Sequence, residues 1–299
     1  MAGSTVSRRA FGNFLRDMRT RANKTALAAG LHAETSRMTI VRLEDGLLTK
    51  ITTMQLKSLL DFYEADESSR STALDLWQEV REQAKADKLQ GNSKGFWQPY
   101  ADQLPSHFPH YLRLEAAAAR MTTHQLVLVH GLLQTSDYRR AIAKLDTPSI
   151  SRVDIERRIE LTERRQARLD EPDFRLEVLL SEAVLRNQPA DPDVMAGQLH
   201  WLAEVSERDN ISIRIVPFDV GPHRGLVIQS FTLLEFTNPE SRPAEPPVVY
   251  LEGAVGALYH ERADVIERYR EAINALQAVA LSEADTRTMV LRVAKEYAA

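Results

Sequence analysis

Arg37 and Arg42 stand in the stretch Ser36-Arg-Met-Thr-Ile-Val-Arg-Leu-Glu-Asp-Gly46. With Ile40 and Leu43 taken as the buried side of a short helix, the helical period turns Met38, Val41 and Arg42 outward and leaves Arg37 and Thr39 at the flanks. The chemistry open to such a face is recognition of nucleic acid. A guanidinium fork matches guanine O6 and N7, and the apolar Met38 and Val41 suit thymine methyls, unless the helix is rotated from this setting. Ser36 and Thr39 would hold phosphate, with Thr25, Arg21 and Lys24 as weaker grips. Taken alone, two arginines on one helix are equally a solvated face.

Other chemistries find less support. There is no cysteine, which removes disulfides, thiolate nucleophiles and Cys-type zinc sites. His107-x-x-His110 has ligand-like spacing, but Pro105 and Pro109 break a regular helix there. The chain has no glycine-rich phosphate loop, no Gly-x-Ser-x-Gly elbow and no His-Glu-x-x-His helix. The expectation is therefore no enzyme, no cofactor and no metal. Gly131-Leu-Leu-Gln-Thr135, followed by Tyr138, offers a possible partner or effector loop through Leu132, Leu133, Gln134 and Tyr138; the competing reading has both leucines plugging the domain's own core.

Several helices must position the reading face. Phe11, Phe14, Leu15 and Met18 share one face of a first helix whose other face carries Arg16 and Arg19. Short helices over 25–33 and 36–44 follow, the latter stopped at Gly46, then two more built on Leu56, Leu59, Leu60 and Tyr63 and on Ala73, Leu76, Trp77 and Val80. Residues 1–57 hold ten Lys and Arg against four Asp and Glu, whereas the whole chain has net charge -4, so a basic module precedes an acidic body.

The polar Gln90-Gly-Asn-Ser-Lys-Gly95 reads as a linker, which puts an all-α five-helix domain at 1–90 and an α+β domain at 91–299, helical over 96–170 and a mixed sheet with helices over 171–299. Strands are predicted at 174–180, 211–216, 226–236 and 248–251, with a βαβ crossover between the first two and antiparallel additions after it. Ser151-x-x-Asp154 and Ser282-x-x-Asp285 open two helices. The glycines and prolines around the strands of 211–252 would supply turns or frame a small-effector pocket. No apolar run is long enough to cross a bilayer and no secretion leader precedes the first helix, so a cytoplasmic, soluble chain is expected.

The segment from Thr25 to Gly46, ending Ser-x-x-Thr-Ile-x-Arg-Leu-Glu-x-Gly, resembles the XRE/Cro-type helix-turn-helix, from which it departs at Ala26 and Val41. Phe96-Trp97-x-x-Tyr100, Gly131-Leu-Leu-Gln-Thr-x-x-Tyr138, Arg164-Arg-Gln166-x-x-Leu169, Ser181-Glu-Ala-x-Leu185, Ile215-Val-Pro217 and Val249-Tyr-Leu-Glu252 follow in order. They resemble the large C-terminal domain of WhiJ-like XRE regulators of actinobacteria, with departures at His130 and Asn187-Gln188-Pro189. The resemblance implies an antitoxin-like transcription regulator that binds double-stranded operator DNA as a homodimer. Its C-terminal domain would engage a small protein encoded nearby. A ligand-sensing repressor with a C-terminal effector pocket, or an interaction module with a vestigial reader, are the alternatives.

Overall fold

The computed structural model describes residues 6–47, 49–89, 96–105, 107–237, 245–254 and 256–298. Its contacts divide the chain into two units, the first formed by 1–99, 108–117 and 237–246, the second by 100–107, 118–236 and 247–299. The linker expected at 90–95 lies outside the described residues.

The first unit opens with five helices: α1 (Val6–Arg21), α2 (Ala26–His32), α3 (Arg37–Glu44), α4 (Thr53–Phe62) and α5 (Glu67–Leu89). They exist because each has an apolar stripe at helical spacing. Phe11, Leu15 and Met18 from α1 meet Ile40 and Leu43 from α3, Leu56, Leu59 and Leu60 from α4, and Ala73, Leu76 and Val80 from α5 in one buried cluster. Phe11 lies 5.2 Å from the Trp77 ring. Caps fix the starts: Thr25 accepts from Ala28 N, Ser36 from Thr39 N, and Thr52 forms a capping box with Gln55. Gly46 takes φ +65 after α3, as a helix-ending glycine does. The segment α6 (Phe108–Ala117) also belongs to this unit.

The second unit is α+β. Its elements run β1 (Arg120–Gln125), α7 (Ser136–Asp146), α8 (Arg152–Gln166), β2 (Arg175–Ser181), α9 (Ala183–Arg186), α10 (Pro192–Val205), β3 (Ile211–Val216), β4 (Phe231–Glu235), β5 (Val248–Gly253), β6 (Gly256–His260), α11 (Ala263–Val279) and α12 (Glu283–Tyr297). The sheet order is β3-β2-β1-β4-β5-β6. Strands β1, β2 and β3 are parallel, β2 and β3 being joined through α10, and β4, β5 and β6 add antiparallel. Ile266, Ile273 and Leu276 of α11 pack on Leu179, Val216, Phe231, Leu233 and Val249. An all-α module followed by an α+β domain is thus the observed fold. Among the described residues no helix is long and apolar enough to cross a membrane.

Two expectations need correction. The stretch 96–170 is not purely helical, because β1 lies inside it. Its buried residues include Thr122, Thr123 and His124, so it lacks the apolar signature of a strand. Carbonyls of the neighbouring strands take two of their donors instead: Thr123 Oγ1 donates to the Phe231 carbonyl at 2.9 Å and His124 Nδ1 to the Leu179 carbonyl at 3.0 Å. The strand expected over 226–236 starts only at Phe231. Residues Arg224–Val227 form a 3₁₀ turn in which His223 Nδ1 accepts from Gly225 N, leaving Leu226 and Val227 in solvent.

Burial pushes His110 in α6 down to about 4 and lowers His124 as well. The unfolded chain, with its histidines near 6.5, then holds protons that the folded chain refuses. The His110 contribution is nil above pH 6.5, and its cost grows as pH falls, levelling near pH 4 at about 3 kcal/mol. Urea unfolding of the wild type and His110→Asn at pH 7, 5.5 and 4.5 should show the variant losing less stability on acidification. Parallel losses would contradict the neutral buried imidazole.

Candidate nucleic-acid interface

The α2–α3 pair is set by three close backbone approaches. At the turn, Glu34 adopts φ +50 and Thr35 N donates to the Gly30 carbonyl at 2.8 Å. A Cβ on Gly30 would lie 3.0 Å from Arg37 N, so α2 can touch the start of α3 only without a side chain there. A Cβ on Gly12 would lie 2.6 Å from the carbonyl oxygens of Leu43 and Glu44, which places the end of α3 directly on α1. Gln55 Nε2 of α4 donates to the Ala33 carbonyl at 3.0 Å and closes the corner.

These contacts settle the rotation of α3. Ile40 and Leu43 are buried, Glu44 is buried beside them, and Arg37, Met38 and Arg42 are exposed, with Met38 at 63%. At about 100° per residue, Arg37, Val41, Met38 and Arg42 occupy an arc of about 140° facing away from Ile40 and Leu43. Val41, inside this arc, and Thr39, beyond its edge, are half-buried. Thr25 and Ser36 are exposed, but both spend an acceptor on their helix starts, and Ser36 Oγ lies 2.9 Å from Thr39 Oγ1. The two hydroxyls bond to each other, which limits what they can offer to phosphate.

Charge is distributed less simply than the count of ten cations implies. Arg19 grips Glu44 with Nε at 2.6 Å and Nη2 at 2.8 Å, and its pKa is raised by that hydrogen-bonded pairing. Arg16 pairs with Asp45 and approaches Glu44 at 3.6 Å. Lys24 lies 3.4 Å from Glu64 and 5.0 Å from the Phe62 ring centre. Arg9 is buried against Glu245 at 3.2 Å. The face of α1 expected to be basic is therefore an internal ion-pair network. Exposed and without a carboxylate partner among the described residues are Arg21, Arg37, Lys50 and Lys57. Lys50 and Lys57 are the cations that the motif reading overlooked; the absence of any acid over 46–60 is the signal that marks them.

The second expected site is not a surface. Leu132 and Leu133 are wholly buried, as are Tyr138 and, nearly so, Gln134. Gln134 Nε2 donates to the Val129 carbonyl at 2.7 Å, Gln198 links Leu133 O and Thr135 N at 2.8 and 2.7 Å, and Gln166 Nε2 donates to Gln134 O at 2.7 Å. Burial raises the Tyr138 phenol to about 12. The four side chains lock the loop into the second unit and present nothing to a partner. His107 lies 3.5 Å from Glu252, and among the described residues no group of three or more His, Asp and Glu side chains could hold a metal.

Comparison with known proteins bears on the second unit. Residues 108–292, more than half of the chain, match the model of a family described as Domain of unknown function (DUF5753). The chain belongs to the DUF5753 family. The DUF5753 match starts at α6, holds the whole six-stranded sheet and ends inside α12, so α1–α5 and the α3 face lie outside it. The DUF5753 description carries no activity. No curated protein and no solved structure matches the chain.

Proposed function

We propose that this chain is a sequence-specific DNA-binding transcription regulator of the cytoplasm, with α3 as its reading helix. The observation that carries the reading is the outward arc of Arg37, Met38 and Arg42 on a short helix whose opposite side is buried. Arg37 and Arg42 read guanine edges in the major groove, and Met38 packs on a thymine methyl. Lys50, Lys57 and Arg21 supply phosphate contacts, which position the reader without adding sequence information. A homodimer would place two such helices on successive half-sites, and the DUF5753 unit would engage a small partner protein; both rest on the resemblance to WhiJ-like regulators.

Fluorescence anisotropy tests it, with DNA from upstream of the chain's own gene against scrambled DNA across a salt series. Selective binding whose affinity falls steeply with salt, by a log–log slope of about -0.9 per phosphate contacted, is expected. Arg42→Ala should weaken the selected DNA by about 1 to 3 kcal/mol and leave scrambled DNA nearly unchanged. Equal losses on both would remove Arg42 as a reader.

A second reading has an observation of its own. Leu27 and Leu31 on α2 are exposed at 55% and 72%, as is Met38 on α3 at 63%, and apolar side chains suit a protein surface better than phosphate. An interaction module with a vestigial reader predicts weak, unselective DNA binding that Leu31→Ser leaves unchanged.

A further inference from the structure

Sulfur oxidation in this chain falls to methionine, since there are seven methionines and no cysteine. Burial sorts those among the described residues. Met18 is 7% exposed in the core of the first unit, Met121 and Met195 are wholly buried in the second, and Met289 on α12 is half-buried. Met38 on α3 and Met54 in the first turn of α4 stand in solvent, at 63% and 79%. A peroxide must touch the sulfur to oxidise it, so these two side chains react first.

The two differ in where they stand. Met38 lies in the outward arc of α3, next to Arg37 in sequence and four residues before Arg42, a spacing that makes side chains neighbours on a helix. Met54 belongs to α4, outside that arc. Oxidation at Sδ needs only the peroxide: a sulfur lone pair attacks one peroxide oxygen, an S–O bond forms as the O–O bond breaks, and the other oxygen leaves with both protons as water. The sulfur loses two electrons and the peroxide gains them. A polar, chiral sulfoxide then replaces a flexible apolar thioether. Its oxygen is an acceptor on the same arc as Arg37 and Arg42, in competition with guanine O6 and N7, and it no longer suits a thymine methyl.

We propose that Met38 is a modification site whose oxidation to the sulfoxide by hydrogen peroxide turns off base reading by α3, and whose reduction restores it. The inference rests on α3 being the helix that reads DNA. Met54, more exposed and outside the arc, is oxidised without that effect. Phosphate contacts survive the change, so selectivity is lost rather than DNA binding as such.

The test treats the full chain with hydrogen peroxide at neutral pH for increasing times and then removes the peroxide. Peptide mass spectrometry reads the gain of one oxygen at each methionine, and fluorescence anisotropy reads Kd on selected and scrambled DNA. Met38 and Met54 should take up oxygen well before Met18, Met121 and Met195. Kd on selected DNA should rise with the fraction of Met38 oxidised, by at least about fivefold at completion, the scale of one lost base contact, while scrambled DNA is unaffected. Met38→Leu, which keeps an apolar side chain at an exposed position, should bind before treatment and go on binding after it, whereas Met54→Leu should remain sensitive. Methionine sulfoxide reductases for both sulfoxide epimers should restore the treated wild type. Oxidation of Met38 no faster than that of the buried methionines, full selectivity with Met38 oxidised, or equal losses in Met38→Leu and wild type would each overturn the proposal. Absence of selective binding before any peroxide is added would remove α3 as the reader, and the switch with it.

Discussion

Arg9→Ala is expected to lower the stability of the first unit by about 3 to 5 kcal/mol, the loss typical of removing one member of a buried ion pair. Arg9 is 2% exposed and Glu245 is 5% exposed; Arg9 Nη1 reaches Glu245 at 3.2 Å and Nη2 the Pro246 carbonyl at 3.3 Å. The two residues are 236 positions apart, so the pair fastens a distant strap of chain to the first helix of the module. Most of the predicted loss is not the strength of the pair itself. It is the cost of taking the Arg9 guanidinium away from a carboxylate in a place that water hardly reaches. Arg9→Met with Glu245→Leu, which removes both charges, should therefore recover most of the loss. The exposed pair Arg70–Asp61, whose side chains are 28% and 65% accessible, is the control, and Arg70→Ala should cost under about 1 kcal/mol. Urea unfolding followed by far-UV circular dichroism measures all three. Equal small losses for Arg9→Ala and Arg70→Ala would mean that Glu245 is solvated in solution.

The α3 face was legible in the sequence because its determinants are local. Ile40 and Leu43 are three residues apart, and once they are placed inside, the period alone turns Arg37, Met38 and Arg42 out. The five helices were legible for the same reason, as were the caps at Ser151 and Ser282. What could not be read locally was decided by partners far along the chain. Arg16 and Arg19 look like a free basic face until Glu44 and Asp45 come back beneath them. Strand β1 was hidden because three of its four buried side chains are threonines and a histidine, tolerable because Phe231, Thr232 and Leu179 supply hydrogen-bond partners from neighbouring strands. Helix α11 and strand β6 went unread, and the 226–236 strand was drawn too long because apolar Leu226 and Val227 resemble strand residues while standing exposed on a turn. Leu132 and Leu133 had both fates open in the sequence, and the glutamine hydrogen bonds at 134, 166 and 198 decide for the interior.

Glu44→Ala should be nearly as damaging as Arg9→Ala, at about 3 to 5 kcal/mol, and it tests the link between packing and reading. Glu44 is the last residue of α3, 3% exposed, with both carboxylate oxygens held by Arg19, which is itself only 17% accessible and also donates to the Lys24 carbonyl at 2.8 Å. The pair therefore ties the end of α3 to α1 and to the turn before α2 at once. A cation near a helix C-terminus would favour the dipole; here the buried carboxylate opposes it, so its presence is affordable only because Arg19 and Arg16 answer the charge. Removing Glu44 strands Arg19, whereas Glu44→Gln keeps one acceptor and should lose less. A double-mutant cycle with Arg19→Ala should give a coupling of about 2 kcal/mol or more, since the second truncation removes the charge that the first left unpaired. If α3 reads DNA, Glu44→Gln should weaken selected DNA without touching any base-facing group, because the helix end is no longer fixed in two directions. A stable Glu44→Gln protein with full selectivity would show that the Gly12 contact alone holds α3 in place.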